Sequence, residues 1–328
     1  MERIAFISGE SFYYWSTILT VLGAACAACL FWSLCLRGGE AMAAAVAVPI
    51  AAGLSVVLAR LIHWYCRTNS YESFSAAMTP GAPGGYALMG VFAGCILAAV
   101  LVRLLKLTRD LPRMLDRLCV SGSAGIAVGR LASFYNTSDR GGVLADSVPM
   151  PWAYPVTNPV SGVVENRLAT FLIQAMFAAA ILLVLSLLSL RKKKRSGDAT
   201  LVFLLLYGAS QVVLDSTRYD SLYLRSNGFI SVVQILGAAS IVLSAVVYSI
   251  WLVKNHGMKP FYGGLWLALL ALTAGAGYME YYVQRHGSEA AFAYSVMSVC
   301  LAGYAAVTLL IRFLALRKKR YIGKRLRV

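Results

Sequence analysis

Four ionisable side chains, Arg60, Arg130, Asp215 and Arg218, each sit near the end of a long apolar run. A charged group inside a bilayer costs roughly 2.5 to 3.5 kcal/mol on insertion scales, so it usually faces a cavity or a partner. The planar fork of arginine suits two-point recognition of phosphate or carboxylate. Three arginines at matching depth therefore point to a site for an anionic lipid headgroup. Each arginine alone has a plainer reading, a side chain reaching up to the phosphates of bulk lipid. Asp215 and Arg218, three residues apart, also make an i, i+3 pair able to hold a helix end. Arg130 opens the stretch RLASFYNTSDRGG, 130–142, a polar turn following the small-residue run LCVSGSAGIAV. His63, one turn after Arg60, offers a base at the same depth, or else is an interfacial histidine beside Trp64 and Tyr65. Tyr207 has a hydroxyl for a headgroup, or simply opens a helix.

These residues need elements to hold them, and the composition says which. The chain has 328 residues, 59% hydrophobic and 13% charged, with a mean hydropathy of +0.69. That excludes a soluble domain and predicts an all-α, polytopic membrane bundle. About nine spans are expected, near 11–36, 41–65, 84–107, 115–135, 168–190, 199–216, 229–253, 261–283 and 291–316. The net charge of +16 gathers at Lys106 to Arg117, at RKKKR (191–195), at Lys254 and Lys259, and at RKKRYIGKRLR (317–327). By the positive-inside rule these clusters share the cytoplasmic face, with the N-terminus outside and the C-terminus inside. The excess charge is thus topology, with an attraction to anionic lipid, and nucleic acid is not an expected partner. Arg103 and Arg312 lie about a turn from basic ends and reach them by snorkelling. Arg60, Arg130, Asp215 and Arg218 instead fall in or just beyond the last turns of the second, fourth and sixth spans, which all run outward.

Seven cysteines and three histidines show no metal-ligand spacing, and Cys26 and Cys29 form a C-x-x-C inside an apolar helix, where packing explains them. No metal site is expected. The first span lacks the basic start and cleavage site of a signal peptide and reads as a retained anchor. The loop 136–167 carries PMPWAYPVTNP, expected as extended, proline-stiffened chain on the outer surface. A second outer loop reads TRYDSLYLRSNG, 217–228.

The ordered motifs resemble the prolipoprotein diacylglyceryl transferase family. GRLASFYNTSDRGG is similar to its signature G-R-x-x-N-F-x-N-x-E-x-x-G, with Arg130, Phe134, Asn136 and Gly141 in register and Asp116 fourteen residues upstream. GAPGGYALMG, 81–90, resembles its H-G-G segment through Gly84 and Gly85. LARLIHWY, 58–65, resembles G-x-R-x-G-Y through Arg60. YGASQVVLDSTR, 207–218, resembles Y-G-x-x-R-x-x-x-E-x-x-R through Tyr207, Gly208 and Arg218, with Asp215 for the glutamate. Gln234 falls where the family has a glutamine opening its seventh span. The likeness covers roughly 1–253 and leaves 254–328 as two additional spans with a basic tail.

Membership implies transfer of diacylglyceryl from phosphatidylglycerol to the lipobox cysteine thiol of a prolipoprotein in the bacterial cytoplasmic (inner) membrane. Its partners would be that phospholipid and the prolipoprotein signal peptide, and no cofactor is required. The reaction needs a deprotonated thiol and a held, neutralised phosphate. Arg130, Arg218, Arg60 and Asn136, with Tyr207, Gly84, Gly85, Gly141 and Gln234, would form the lipid site, Asp215 would orient Arg218, and His63 would be the base. The pattern also departs from the family. Pro83 stands for the histidine before the two glycines, Gln211 for the first arginine after Tyr-Gly, Ser133 for an asparagine and Ser138 for the glutamate. The stretch H-P-T-Q-L-Y-E expected near residue 167 has no counterpart. Asp139 and Arg140 either replace the lost glutamate or form a surface ion pair. Two functions follow, a divergent transferase and a catalytically inactive relative that binds anionic phospholipid.

Overall fold

The computed structural model describes residues 4–8, 11–79, 84–145, 147–158, 161–190, 195–225, 227–286 and 289–317. Pro83, the basic residues 191–194 and the basic tail 318–327 lie outside them. The long helices are α1 (Trp15–Arg37), α2 (Ala41–Cys66), α4 (Leu88–Leu104), α5 (Leu111–Gly129), α6 (Thr170–Ser189), α7 (Asp198–Ser216), α8 (Val232–His256), α9 (Pro260–Arg285) and α10 (Ala290–Leu316), with a short α3 (Phe74–Met78) between α2 and α4. Among the described residues seven of these are long and apolar enough to cross a membrane. The chain is an integral membrane, all-α bundle. The two that fall short are α4, whose 17 residues span about 26 Å, and α5, whose first turns carry Arg113, Asp116 and Arg117.

Three helices, α1, α6 and α8, begin later than the apolar runs suggest, because a hairpin strand precedes each of them. Ser11–Tyr14, expected as the start of the first span, is strand β2, antiparallel to β1 (Ile4–Ser8). The aromatic run Phe12–Tyr14 reads as apolar yet favours a strand. Similarly, α4 starts four residues after the expected 84, since Gly84 (φ +127°) and Gly85 are poor helix formers. The fourth span ends at Gly129, and Arg130–Phe134 form a 3₁₀ turn. The proline-rich loop does more than lie extended. Its strands β3 (Ala153–Thr157) and β4 (Val164–Leu168) pair antiparallel, with Ala153 opposite Leu168.

Two compact units divide the chain, residues 1–237 and 238–328. In the first, small residues let helix backbones meet. A Cβ on Gly23 of α1 would lie 2.7 Å from the Gly125 carbonyl of α5, and one on Gly90 of α4 would lie 2.3 Å from Ala59 of α2. These contacts fix the helices that carry Arg130 and Arg60. Phe31, Cys35, Ala43, Ala44, Ala47, Ala99, Val102 and Met114 close the core at the opposite end. There Asp116 accepts bonds from Gly197 N, Thr200 N and Thr200 Oγ1, and so caps α7. In the second unit α9 packs on α10, and Asn255 Nδ2 donates to the Ala315 carbonyl at 2.9 Å.

Candidate functional site

The C-terminal ends of α2, α5 and α7 meet at one end of the first unit. Arg67, just past α2, donates through Nη2 to the Asp220 carbonyl at 2.9 Å. Arg130, closing α5, and Arg218, just past α7, converge on one oxygen. Asp139 Oδ1 is 2.6 Å from Arg130 Nη1 and 2.7 Å from Arg218 Nη2. Ser133 Oγ donates to the other Asp139 oxygen at 3.0 Å. Arg218 also meets Asp215 Oδ1 at 3.3 Å and Asp220 Oδ1 at 2.9 Å. Two guanidiniums thus face three carboxylates, so the cluster is one negative charge in excess when all are ionised.

Its members are built in from several directions. Asp139 has a left-handed backbone, φ +58°, a region that Asp tolerates better than most residues. Its N–H donates to Asp220 Oδ2 at 3.0 Å, and its carbonyl accepts from Phe171 N at 3.1 Å. Asp215 is 1% exposed and is held by the Ser231 hydroxyl, which donates to Oδ2. Ser231 in turn caps α8. Its Oγ accepts from Gln234 N at 3.1 Å, while Gln234 Oε1 accepts from Ser231 N at 3.0 Å. This reciprocal S-x-x-Q pair is a capping box, and it aims the serine at the aspartate. Burial alone would lift the Asp139 carboxyl. The Arg130 and Arg218 guanidiniums overcome that and hold it well below the usual carboxylate range. Burial likewise opposes the charge on Arg218, and Asp139, Asp220 and Asp215 more than offset it.

Among the remaining expected site residues, Tyr207 borders the cluster at the Arg130 guanidinium, and the others are placed around it. Arg60, 5% exposed, donates through Nε to the Ala77 carbonyl at 2.7 Å and through Nη1 to that of Gly85 at 3.2 Å. His63 Nδ1 lies 2.7 Å from the Tyr71 hydroxyl. A Cβ on Gly85 would fall 2.6 Å from His63 Nε2, and one on Gly84 would fall 2.4 Å from the Tyr71 oxygen. The two glycines leave room for this pair. Asn136 Oδ1 accepts from Ser138 N at 2.9 Å and shapes the turn. Gly141 packs where a Cβ would meet Thr170 Oγ1 at 2.5 Å. The Tyr207 hydroxyl is buried beside the Arg130 guanidinium, and its O–H has no acceptor.

Asp139 and Arg140 do not form a surface ion pair. Both are buried, and Arg140 donates to the carbonyls of Ser133 (2.7 Å) and Asn136 (2.8 Å) between the rings of Tyr154 and Phe171. Sequence reasoning overlooked Arg67, Asp220 and Ser231. Asp220 was visible only as a polar loop residue, and Ser231 only through its spacing from Gln234.

This cluster is assembled from the segments whose motifs pointed to one family, and direct comparison agrees. The profile of that family, prolipoprotein diacylglyceryl transferase, matches residues 3–251. The chain belongs to it. A phosphatidylglycerol–prolipoprotein diacylglyceryl transferase of Thermotoga maritima is 30% identical over 212 residues, 62% of this chain and 68% of that protein. The namesake from Clostridioides difficile is 25% identical over 213 residues, 65% and 78% of the two chains. That of Finegoldia magna is 25% identical over 194 residues, 59% and 73%. Within the transferase pattern, the departure at Gln211 is a buried amide bonded to Gln174 of α6. At the signature's serines, Ser133 serves the Asp139 carboxylate and Ser138 closes the Asn136 turn.

Proposed function

We propose that the chain is a divergent phosphatidylglycerol–prolipoprotein diacylglyceryl transferase of the bacterial inner membrane, with nine spans and the arginine-bearing end of residues 1–253 facing outward. One observation carries the reading. Guanidiniums from two different helices converge on a single anionic oxygen, the geometry that a phosphate oxygen of a lipid headgroup exchanges onto when it displaces the Asp139 carboxylate. Asp215 and Asp220 keep the Arg218 fork oriented during that exchange, and Arg60 holds the Ala77 and Gly85 carbonyls beside the site.

His63 is the base of this scheme. When its Nδ1 proton is donated to the Tyr71 oxygen, Nε2 is the basic nitrogen, and Gly85 keeps a side chain out of its way. The thiol proton of the lipobox cysteine passes to Nε2. The thiolate then attacks the glyceryl carbon that bears the phosphate. A C–S bond forms, the C–O bond breaks, and glycerol phosphate leaves with the electron pair while Arg130 and Arg218 neutralise it. The two further spans of the region 254–328 are α9 and α10.

The second reading, a lipid-binding relative without turnover, draws on Gln211, a neutral amide where the family pattern has a cation. Proteoliposomes containing labelled phosphatidylglycerol and a lipobox peptide separate the two. A diacylglyceryl thioether found by mass spectrometry, lost in Arg130→Ala and in His63→Ala, is the expected result. No product, with anionic lipid still bound in an Arg130-dependent way, leaves the binding role alone. Unchanged lipid binding in Arg130→Ala removes the headgroup site itself.

A further inference from the structure

Tyr207, Gln211 and Asp215 recur every fourth residue, so they share one face of α7. All three are buried, at 5%, 2% and 1% exposure. Asp215 belongs to the arginine cluster, while Gln211 Oε1 accepts from Gln174 Nε2 of α6 at 3.1 Å. Nearer the helix ends, the Thr170 and Thr217 hydroxyls stand 3.3 Å apart between the same two chain segments. Two polar groups on this track are left unpaired: the Tyr207 O–H has no acceptor, and Gln174 Oε1 has no donor. A buried polar group left unpaired costs about 1 to 3 kcal/mol, so two of them beside an anion site call for a ligand.

We propose that Tyr207, Gln211 and Gln174 form a neutral polar subsite that takes the ester carbonyls of a diacyl phospholipid whose phosphate sits on Arg130 and Arg218. This rests on the headgroup reading above and adds what the site recognises beyond the phosphate. Depth and charge both favour esters. Gln211 lies seven residues before Arg218, about 10 Å further down the helix, and the esters lie on the acyl side of the phosphate. A pair of amides carries no charge and suits a neutral group. Ester carbonyls only accept, so the subsite must donate. Tyr207 donates through its O–H. A paired half-turn of both amides, which leaves their shape unchanged, has Gln211 Nε2 donate to Gln174 Oε1 and frees the Gln174 N–H groups for the lipid. One ligand then satisfies both orphaned positions.

The test uses the full chain in dodecyl maltoside micelles, which contain no esters. Diester and diether phosphatidylglycerol of equal chain length are titrated in and bound lipid is counted by native mass spectrometry. Two hydrogen bonds at ordinary net strength predict about tenfold tighter binding of the diester. In the variant Tyr207→Phe/Gln174→Leu/Gln211→Leu, which replaces the amide partners together and leaves neither unpaired, the two lipids should bind alike, at the wild-type diether affinity. Equal wild-type affinities overturn the inference, as does a preference that survives the triple substitution. Arg130→Ala should weaken both lipids by the same factor. Its failure to do so would count against the headgroup reading alone, since the ester preference is read from the ratio of the two lipids.

Discussion

Arg60 and Arg218 stand at the ends of parallel helices, meet the same end of the bundle, and are both largely buried, yet they are engaged in different ways. Arg218 is gripped by the carboxylates of Asp139, Asp215 and Asp220. The bonds of Arg60 run to the backbone carbonyls of Ala77 and Gly85, with the rings of Tyr71 and Tyr86 4.9 and 5.3 Å away. Depth in the membrane sets the cost of a buried cation, and the loops decide what compensates it. Where the loop supplies a carboxylate shared with a second arginine, the cation can exchange one anion for another and so meet a ligand. Where the loop supplies carbonyls, the cation holds the loop in place. On the proposed function, the two regions therefore divide the work between binding and architecture.

Removing Arg218 tests the first half most severely. Arg218→Ala takes the ion-pair partner from Asp215, 1% exposed, and from Asp220, and leaves Asp139 to Arg130 alone. Breaking a buried pair from one side typically costs about 3 to 5 kcal/mol, so the variant should lose most of its thermal stability in micelles. Arg218→Lys keeps the charge without the fork and should recover folding more fully than lipid binding. A stable Arg218→Ala protein would mean that the three carboxylates do not depend on this cation.

Arg60→Ala should have a smaller and different effect. It removes two charge-assisted bonds to backbone, about 1.5 to 3 kcal/mol each before relaxation. The loss falls on the segment between α2 and α4. Hydrogen exchange there should rise while phosphatidylglycerol binding, followed by native mass spectrometry, stays within a few fold of wild type. Loss of lipid binding equal to that in Arg130→Ala would erase the distinction between the regions and restore Arg60 to the headgroup set.

The helices were legible in the sequence because apolar runs of about twenty residues have few other readings. Their flanks were not, since Phe12 to Tyr14 are apolar whether they continue a helix or pair in a hairpin. The arginines and Asp215 were legible for the same reason that the spans were, a costly charge at the end of a greasy run. Their partners were harder to find. Asp139, Asp220, Ser231 and Arg67 come from loops or helix flanks, and nothing in their local spacing shows that they will gather around Arg218 and its carboxylates. Gln234 shows how a local signal can be passed over. S-x-x-Q ahead of an apolar run is a helix-start pattern, and the structure uses it to orient Ser231 toward Asp215.

Acid should divide the two regions with the smallest effect of all. The folded Asp139 carboxyl titrates below its unfolded value of about 3.9. Above that value both states are ionised and its contribution to stability is complete, so from pH 8 to pH 5 Asp139 adds no slope. Below about pH 3.9 the unfolded chain takes the proton first, and stability falls by about 1.4 kcal/mol per pH unit for this one group. The Arg60 bonds to Ala77 and Gly85 end on carbonyls that do not titrate. The cost of Asp139→Asn, read as a shift in unfolding midpoint, should therefore shrink as pH drops from 5 toward 3, while the cost of Arg60→Ala stays constant. An Asp139→Asn cost independent of pH over that range would mean that the carboxylate charge is not what joins Arg130 to Arg218, and the contrast between an exchangeable and an architectural arginine would lose its physical basis.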